Sequence, residues 1–287
     1  MNTRFDRIVE DNAWCPGCGN FSILQLLKEA LEEVGIDPLR TAVVSGIGQA
    51  AKTPQYMSVH MFNGLHGRAL PVAQALKVAN PSLCVIAEGG DGDMYGEGGN
   101  HFMAAIRRNA GIVNIVHNNM VYGLTKGQAS PTSERGFKTS VQVEGSHNEP
   151  FNPVATAIAL GASLVIRTFS GDREHCRQMF KTALLHTGGY VLVDIFQPCV
   201  TFNKTNTFKW FRENVYELQS DYDPSDRAGA FAKALETHPF PIGVIYRSAP
   251  MEKLEETLRG ESGLGDTPLY SGKVDFESLE NLLNTYR

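Results

Sequence analysis

Residues 82–101 read Ser82-Leu83-Cys84-Val85-Ile86-Ala87-Glu88-Gly89-Gly90-Asp91-Gly92-Asp93-Met94-Tyr95-Gly96-Glu97-Gly98-Gly99-Asn100-His101. The apolar run Ser82–Ala87 has the length and composition of a buried strand. A glycine-rich acidic loop follows, then a helix-like stretch from His101 to Arg108, then a second apolar run, Gly111–Val116. Strand, loop, helix and strand in this rhythm predict a parallel pair with a helical crossover. The same rhythm extends outward. Thr41–Ser45 and Tyr190–Ile195 read as further strands. Phe21–Val34, Leu70–Ala79 and Glu174–His186 read as helices. The expected fold is therefore α/β, a parallel sheet with helices on both faces. After about Thr201 the pattern loosens: Phe208, Trp210, Phe211 and Tyr216 sit among charges, and Asp221-Tyr222-Asp223-Pro224 reads as a turn. The expected division is an α/β domain over 1–205 and an extension over 206–287 that packs on the domain or on a partner.

The bulk properties narrow the function. The chain has 287 residues, 42% hydrophobic, enough for a well-packed core. Its net charge is -5 and it carries no long basic run, which argues against nucleic acid as a partner. The start, Met1–Glu10, has no apolar stretch like a signal peptide, and no segment approaches the roughly 20 apolar residues that span a bilayer. A cytoplasmic protein is expected. The cysteines are Cys15, Cys18, Cys84, Cys176 and Cys199. An odd number argues against a disulfide framework and for a metal or redox role for some of them.

The acidic glycine loop carries the chemistry. Glycines let a backbone approach a ligand and expose its N–H groups, which suits phosphate. Carboxylates in the same loop would repel phosphate unless a cation bridges them. The strand after the helix runs into His117-Asn118-Asn119-Met120-Val121-Tyr122-Gly123, and Asn119 lies 28 residues after Asp91. Both positions fall at carboxyl ends of neighbouring strands, where such sheets bind ligands. A carboxylate, an amide oxygen and a backbone carbonyl could hold Mg²⁺, with diphosphate oxygens and water completing the shell. Read alone, Cys15-Pro16-Gly17-Cys18 leaves zinc, an iron–sulfur cluster or a dithiol pair open. Cys199, after a strand end, is a plausible third thiolate.

The Gly90-Asp91-Gly92 and Asn118-Asn119 arrangement resembles that of thiamine-diphosphate-dependent enzymes. More specifically, six blocks in order resemble the β subunit of 2-oxoacid:ferredoxin oxidoreductases. They are Trp14–Asn20, Ser45–Pro54, His66–Pro81, Gly89–His101, His117–Thr132 and Asp194–Asn203. The resemblance spans roughly residues 12–205. It implies a thiamine-diphosphate-binding fold, with Mg²⁺ on Asp91, Asn119 and the Val121 carbonyl. It implies cofactor contacts from Gly48, His66, Gly90, Asp91, Gly92, Asp93, Asn119, Val121, Tyr122, Gly123, Leu124 and Thr125. Gln128 is a further candidate for the diphosphate or the substrate entrance. Lys52 and His66 are the implied catalytic residues, Lys52 for the substrate carboxylate and His66 beside the cofactor. Arg68 reads equally as a cap or an ion-pair partner.

The family carries a 4Fe–4S cluster on four cysteines. Cys15, Cys18 and Cys199 match three of them, and Gln49 stands where the fourth belongs. A four-iron cluster with water or Gln49 on its fourth iron, a 3Fe–4S cluster, or no cluster all remain open. Cys84 and Cys176 read as core thiols. The implied reaction is oxidative decarboxylation of a 2-oxoacid, 2-oxoglutarate or pyruvate with the former favoured, to acyl-CoA and CO₂. Electrons would pass to ferredoxin. The pyrimidine-binding domain implied by the superfamily is not found in this chain, so an α subunit is expected to supply it and the chain alone is expected to be inactive. Two other readings are a subunit of a non-oxidative 2-oxoacid decarboxylase and a non-enzymatic metal-binding module.

Overall fold

The computed structural model describes residues 3–8, 11–263, 265–272 and 275–286. Eight strands form one sheet: β1 (Thr41–Ser45), β2 (His60–Asn63), β3 (Cys84–Gly90), β4 (Val113–Asn118), β5 (Leu164–Phe169), β6 (Val191–Phe196), β7 (Val215–Glu217) and β8 (Phe240–Arg247). Their order is β2-β1-β3-β4-β6-β5-β8-β7. Every pairing is parallel except that of β5 with β8. The sheet is therefore the expected helix-flanked α/β sheet, with the last two strands, β8 and β7, running opposite to the other six.

The strands alternate their side chains between two cores. On one face Val85, Ala87 and Leu192 pack with helices α2 (Ala69–Ala79), α3 (Gly99–Arg108), α4 (Pro153–Ala159) and α7 (Arg227–Ala234). On the other, Ile86, Ile115, Val191 and Val193 pack with α1 (Gly19–Glu33) and α5 (Arg173–Leu184). Cys176 is fully buried in this second core and Cys84 packs against it, as expected of core thiols. Burial pushes the Cys84 thiol up to about 11 and the Cys176 thiol up to about 12.

Residues past 205 contribute to the same sheet. Helix α6 (Phe208–Asn214) places Phe211 against Phe169 and Phe196, and β7 and β8 extend the sheet beyond β5. Helix α8 (Leu254–Glu261) follows, and α9 (Phe276–Asn284) has no buried residue.

Register decides where the site lies. Gly90 pairs with His117, and Asn118 pairs with Phe196. Ser45 pairs with both Asn63 and Glu88. The loops beginning at Gly46, Gly64, Asp91, Asn119 and Gln197 therefore all leave one edge of the sheet, at the carboxyl ends of parallel strands.

Candidate cofactor site

One pocket at this edge gathers the residues singled out in the sequence. Gly48, His66, Gly90, Asp91, Gly92, Asp93, Asn119, Val121, Tyr122, Gly123, Leu124 and Thr125 all line it, with Cys15, Cys18, Cys199 and Gln49. Lys52 does not line it. It lies half-buried in the short 3₁₀ helix Ala50–Tyr56. Gln128 is also outside the lining, its Nε2 donating to the Thr125 carbonyl at 2.8 Å. Arg68 precedes α2 with an exposed side chain and makes no capping bond.

The loop after β3 turns at once into a π-helical turn, Gly92–Glu97. Glycine is required there by close approach: a Cβ on Gly92 would lie 2.2 Å from the Tyr122 ring. By contrast, a Cβ on Gly90 would meet nothing nearer than 3.9 Å, and one on Gly48 nothing within 4 Å. Those two glycines border free space, as a backbone that receives a ligand should.

Asp91 is 1% exposed. Burial pushes its carboxyl up to about 6, and hydrogen bonds oppose the shift. Ser130 Oγ donates to Asp91 Oδ2 at 2.5 Å. Thr132 Oγ1 lies 2.7 Å from the same oxygen and 2.8 Å from Asn118 Oδ1, one hydroxyl proton facing two acceptors. Asn118 Nδ2 in turn donates to Asp194 Oδ1 at 3.2 Å, and Asp194 pairs with buried Arg167 at 3.3 Å. Asn119 Nδ2 donates to Gln197 Oε1 at 3.2 Å. This fixes the orientation of the Asn119 amide, whose oxygen accepts from Val121 N at 3.1 Å.

A buried carboxylate held by two hydroxyls, beside an oriented amide oxygen and open glycine backbone, is an oxygen-only donor set suited to Mg²⁺. Asp93, on the same pocket wall, also holds loops together. Its Oδ1 accepts from Ile47 N at 3.1 Å and Gly67 N at 2.8 Å, tying together the loops after β1 and β2. Burial raises its carboxyl to about 6, and its Oδ2 is buried with no partner.

The thiols meet at the same pocket. The turn Cys15–Cys18 closes with Cys18 N donating to Cys15 O at 3.0 Å and leads into α1. Burial raises the Cys18 thiol to about 11, and the neighbouring Cys199 and Cys15 add to the rise. Gln49 Oε1 is buried without a partner, on the pocket wall that carries these thiols. Among the described residues no three His, Cys, Asp or Glu groups converge on a single ion position. A multi-iron cluster asks for something else, thiolates spread around a cage rather than aimed at one point. Three thiols and an unpartnered amide oxygen around one pocket fit that demand.

Sequence reasoning missed Ser130, Thr132 and Gln197. All three stand inside the blocks that carry the family resemblance, so the signal was present. Their roles depend on contacts across 39, 41 and 78 residues of chain.

Strand ends, oxygen donors and glycine backbone at one sheet edge suit a diphosphate cofactor held through a cation. Residues 43–195 accordingly match the thiamine pyrophosphate enzyme, C-terminal TPP-binding domain family. Residues 199–262 match the family formed by the C-terminal part of pyruvate ferredoxin oxidoreductase β subunits. A 2-oxoacid:ferredoxin oxidoreductase β subunit of Sulfolobus is 41% identical over 88% of this chain and 87% of that protein. Its counterpart in Saccharolobus solfataricus is 40% identical over 94% and 93%. A solved 2-oxoglutarate:ferredoxin oxidoreductase from Magnetococcus marinus, with 2-oxoglutarate, coenzyme A and succinyl-CoA bound, superposes with a TM-score of 0.89 at 33% identity. It covers 98% of this chain and 96% of that one. The chain belongs to the β subunits of the 2-oxoacid:ferredoxin oxidoreductases, part of a multi-subunit oxidoreductase. No described helix is long and apolar enough to cross a membrane.

Proposed function

We propose that this β subunit binds thiamine diphosphate through Mg²⁺ on Asp91, Asn119 and the Val121 carbonyl, and an iron–sulfur cluster on Cys15, Cys18 and Cys199. The substrate is a 2-oxoacid, 2-oxoglutarate in preference to pyruvate, with coenzyme A and ferredoxin as the acyl and electron acceptors. The observation that carries this is one pocket lined by both donor sets. The bound ligands of the Magnetococcus enzyme support the choice of 2-oxoglutarate.

When bound, thiamine diphosphate supplies the electron sink for loss of CO₂. The chain's own residues bind and orient. Gly48 and Gly90 leave room for the cofactor, and His66, exposed at the pocket rim, lies within electrostatic reach of Asp93. Lys52 is assigned to the substrate carboxylate, whose charge a cation neutralises before reaction at the adjacent keto carbon. Gln49, with its unpartnered oxygen, is the fourth position of a four-iron cluster.

The partner is an α subunit that bears the pyrimidine-binding domain. Leu124 is 41% exposed and Phe202 36% at the pocket, apolar surface of the kind that marks a contact. The setting is cytoplasmic, consistent with five free cysteines.

The test is EPR spectroscopy with iron and sulfide analysis on the complex purified anaerobically with its partner. A reduced S = 1/2 signal with about four irons per αβ unit is expected. A signal confined to the oxidised sample would indicate a three-iron cluster. Bound thiamine diphosphate without iron would overturn the electron-transfer role and favour a non-oxidative decarboxylase.

A further inference from the structure

Gln197 immediately follows β6, and its backbone N donates to the Asn118 carbonyl at 2.9 Å, so it lies beside Asn119. The side chain is 1% exposed. Its amide has one possible orientation. Nε2 donates to the Pro198 carbonyl at 2.8 Å, and a carbonyl can only accept. Oε1 therefore faces Asn119 and accepts from Nδ2 at 3.2 Å. The same Nε2 lies 3.6 Å from Cys18 Sγ. Gly19, the first residue of α1, makes this approach possible: a Cβ there would stand 2.8 Å from Gln197 Cγ. One buried amide thus touches a residue of the Mg²⁺ site with its oxygen and a cluster thiol with its nitrogen.

We propose that Gln197 is a positioning residue that couples the two cofactor sites, holding the Asn119 amide in register while donating an N–H to the sulfur of Cys18. This rests on the reading of Cys18 as a cluster ligand. An N–H directed at a ligand sulfur stabilises the more negative, reduced cluster and raises its potential. The oxygen acts separately, through Asn119, on the affinity for Mg²⁺.

Two substitutions separate these roles. Gln197→Glu keeps an oxygen for Asn119 and removes the N–H. Gln197→Met keeps the length and removes both. The experiment uses the complex with its partner, purified anaerobically. It reads the cluster midpoint by EPR-monitored redox titration, and the Mg²⁺ concentration that half-saturates thiamine diphosphate binding. Both variants are expected to move the midpoint to a more negative potential. Only Gln197→Met is expected to raise the Mg²⁺ requirement, several-fold. An unchanged midpoint in a variant with full iron content would overturn this role alone. Absence of iron from the wild-type complex would overturn the cluster assignment and this role together.

Discussion

At Asp91 the sequence made the residue conspicuous but not its surroundings. An aspartate between two glycines, with an asparagine 28 residues on, is readable as a cation site because few other arrangements need a carboxylate in a phosphate-type loop. That Ser130 and Thr132 both reach the same carboxylate oxygen is not readable, since the chain between Asp91 and these hydroxyls includes a helix and a strand. Asp93 was singled out for the cofactor, and it does line the pocket; that its Oδ1 also ties two neighbouring loops together is not readable from the sequence. A hydrogen bond to a buried carboxylate contributes about 1.5–3 kcal/mol. Thr132→Val is therefore expected to raise the Mg²⁺ requirement for thiamine diphosphate binding roughly tenfold or more, with Thr132→Ser near wild type. Titration of Mg²⁺ by calorimetry checks this, and an unchanged requirement in Thr132→Val would remove the hydroxyl from the account.

Among the elements, strands β1, β3, β4 and β6 were legible because each holds a short run rich in valine, isoleucine, leucine or alanine that is buried on both faces. β2 was not: it is four residues long, exposed throughout and at the sheet edge. β8 was hidden by Pro241, which lacks an N–H, and by Gly243, whose φ of +131° few side chains tolerate. β5 carries Arg167 mid-strand, a buried charge paired with Asp194 on the neighbouring strand, a contact across 27 residues that the sequence does not display. The packing of α5 on β5 carries a pH dependence. His175 on α5 faces Thr168 on β5, with Nδ1 2.8 Å from its hydroxyl and Nε2 buried without a partner. Burial holds its imidazole below the usual 6.5, against the opposing pull of Glu217 and Asp172. The fold thus favours the neutral ring and protonation favours the unfolded chain. This stabilisation is present above about pH 6.5 and is lost as pH falls through the folded value. His186, lowered by burial as well, adds in the same direction. Urea midpoints between pH 7 and 5 are expected to fall for the wild type and to fall less for His175→Gln. Equal slopes would contradict the assignment.

For the whole molecule, the cofactor edge and exposed apolar surface lie together. Asn119 and the Cys15–Cys18 turn are brought to one pocket by α1, β4 and β6, and Leu124 and Phe202 stand exposed at it. That the enzyme has further subunits was legible only through the resemblance and through the single diphosphate signature in this chain. What no sequence pattern supplies is where residues outside the pocket act in the assembled enzyme. Lys52 illustrates this, standing outside the pocket of the isolated chain although the resemblance assigns it to the substrate. The most direct measurement is ferredoxin reduction, with 2-oxoglutarate and coenzyme A, by this chain alone and by the chain with its partner. Reduction that requires the partner, the 2-oxoacid and coenzyme A together is the result expected. Release of CO₂ with an aldehyde product and no ferredoxin reduction, or turnover by this chain alone, would contradict the account.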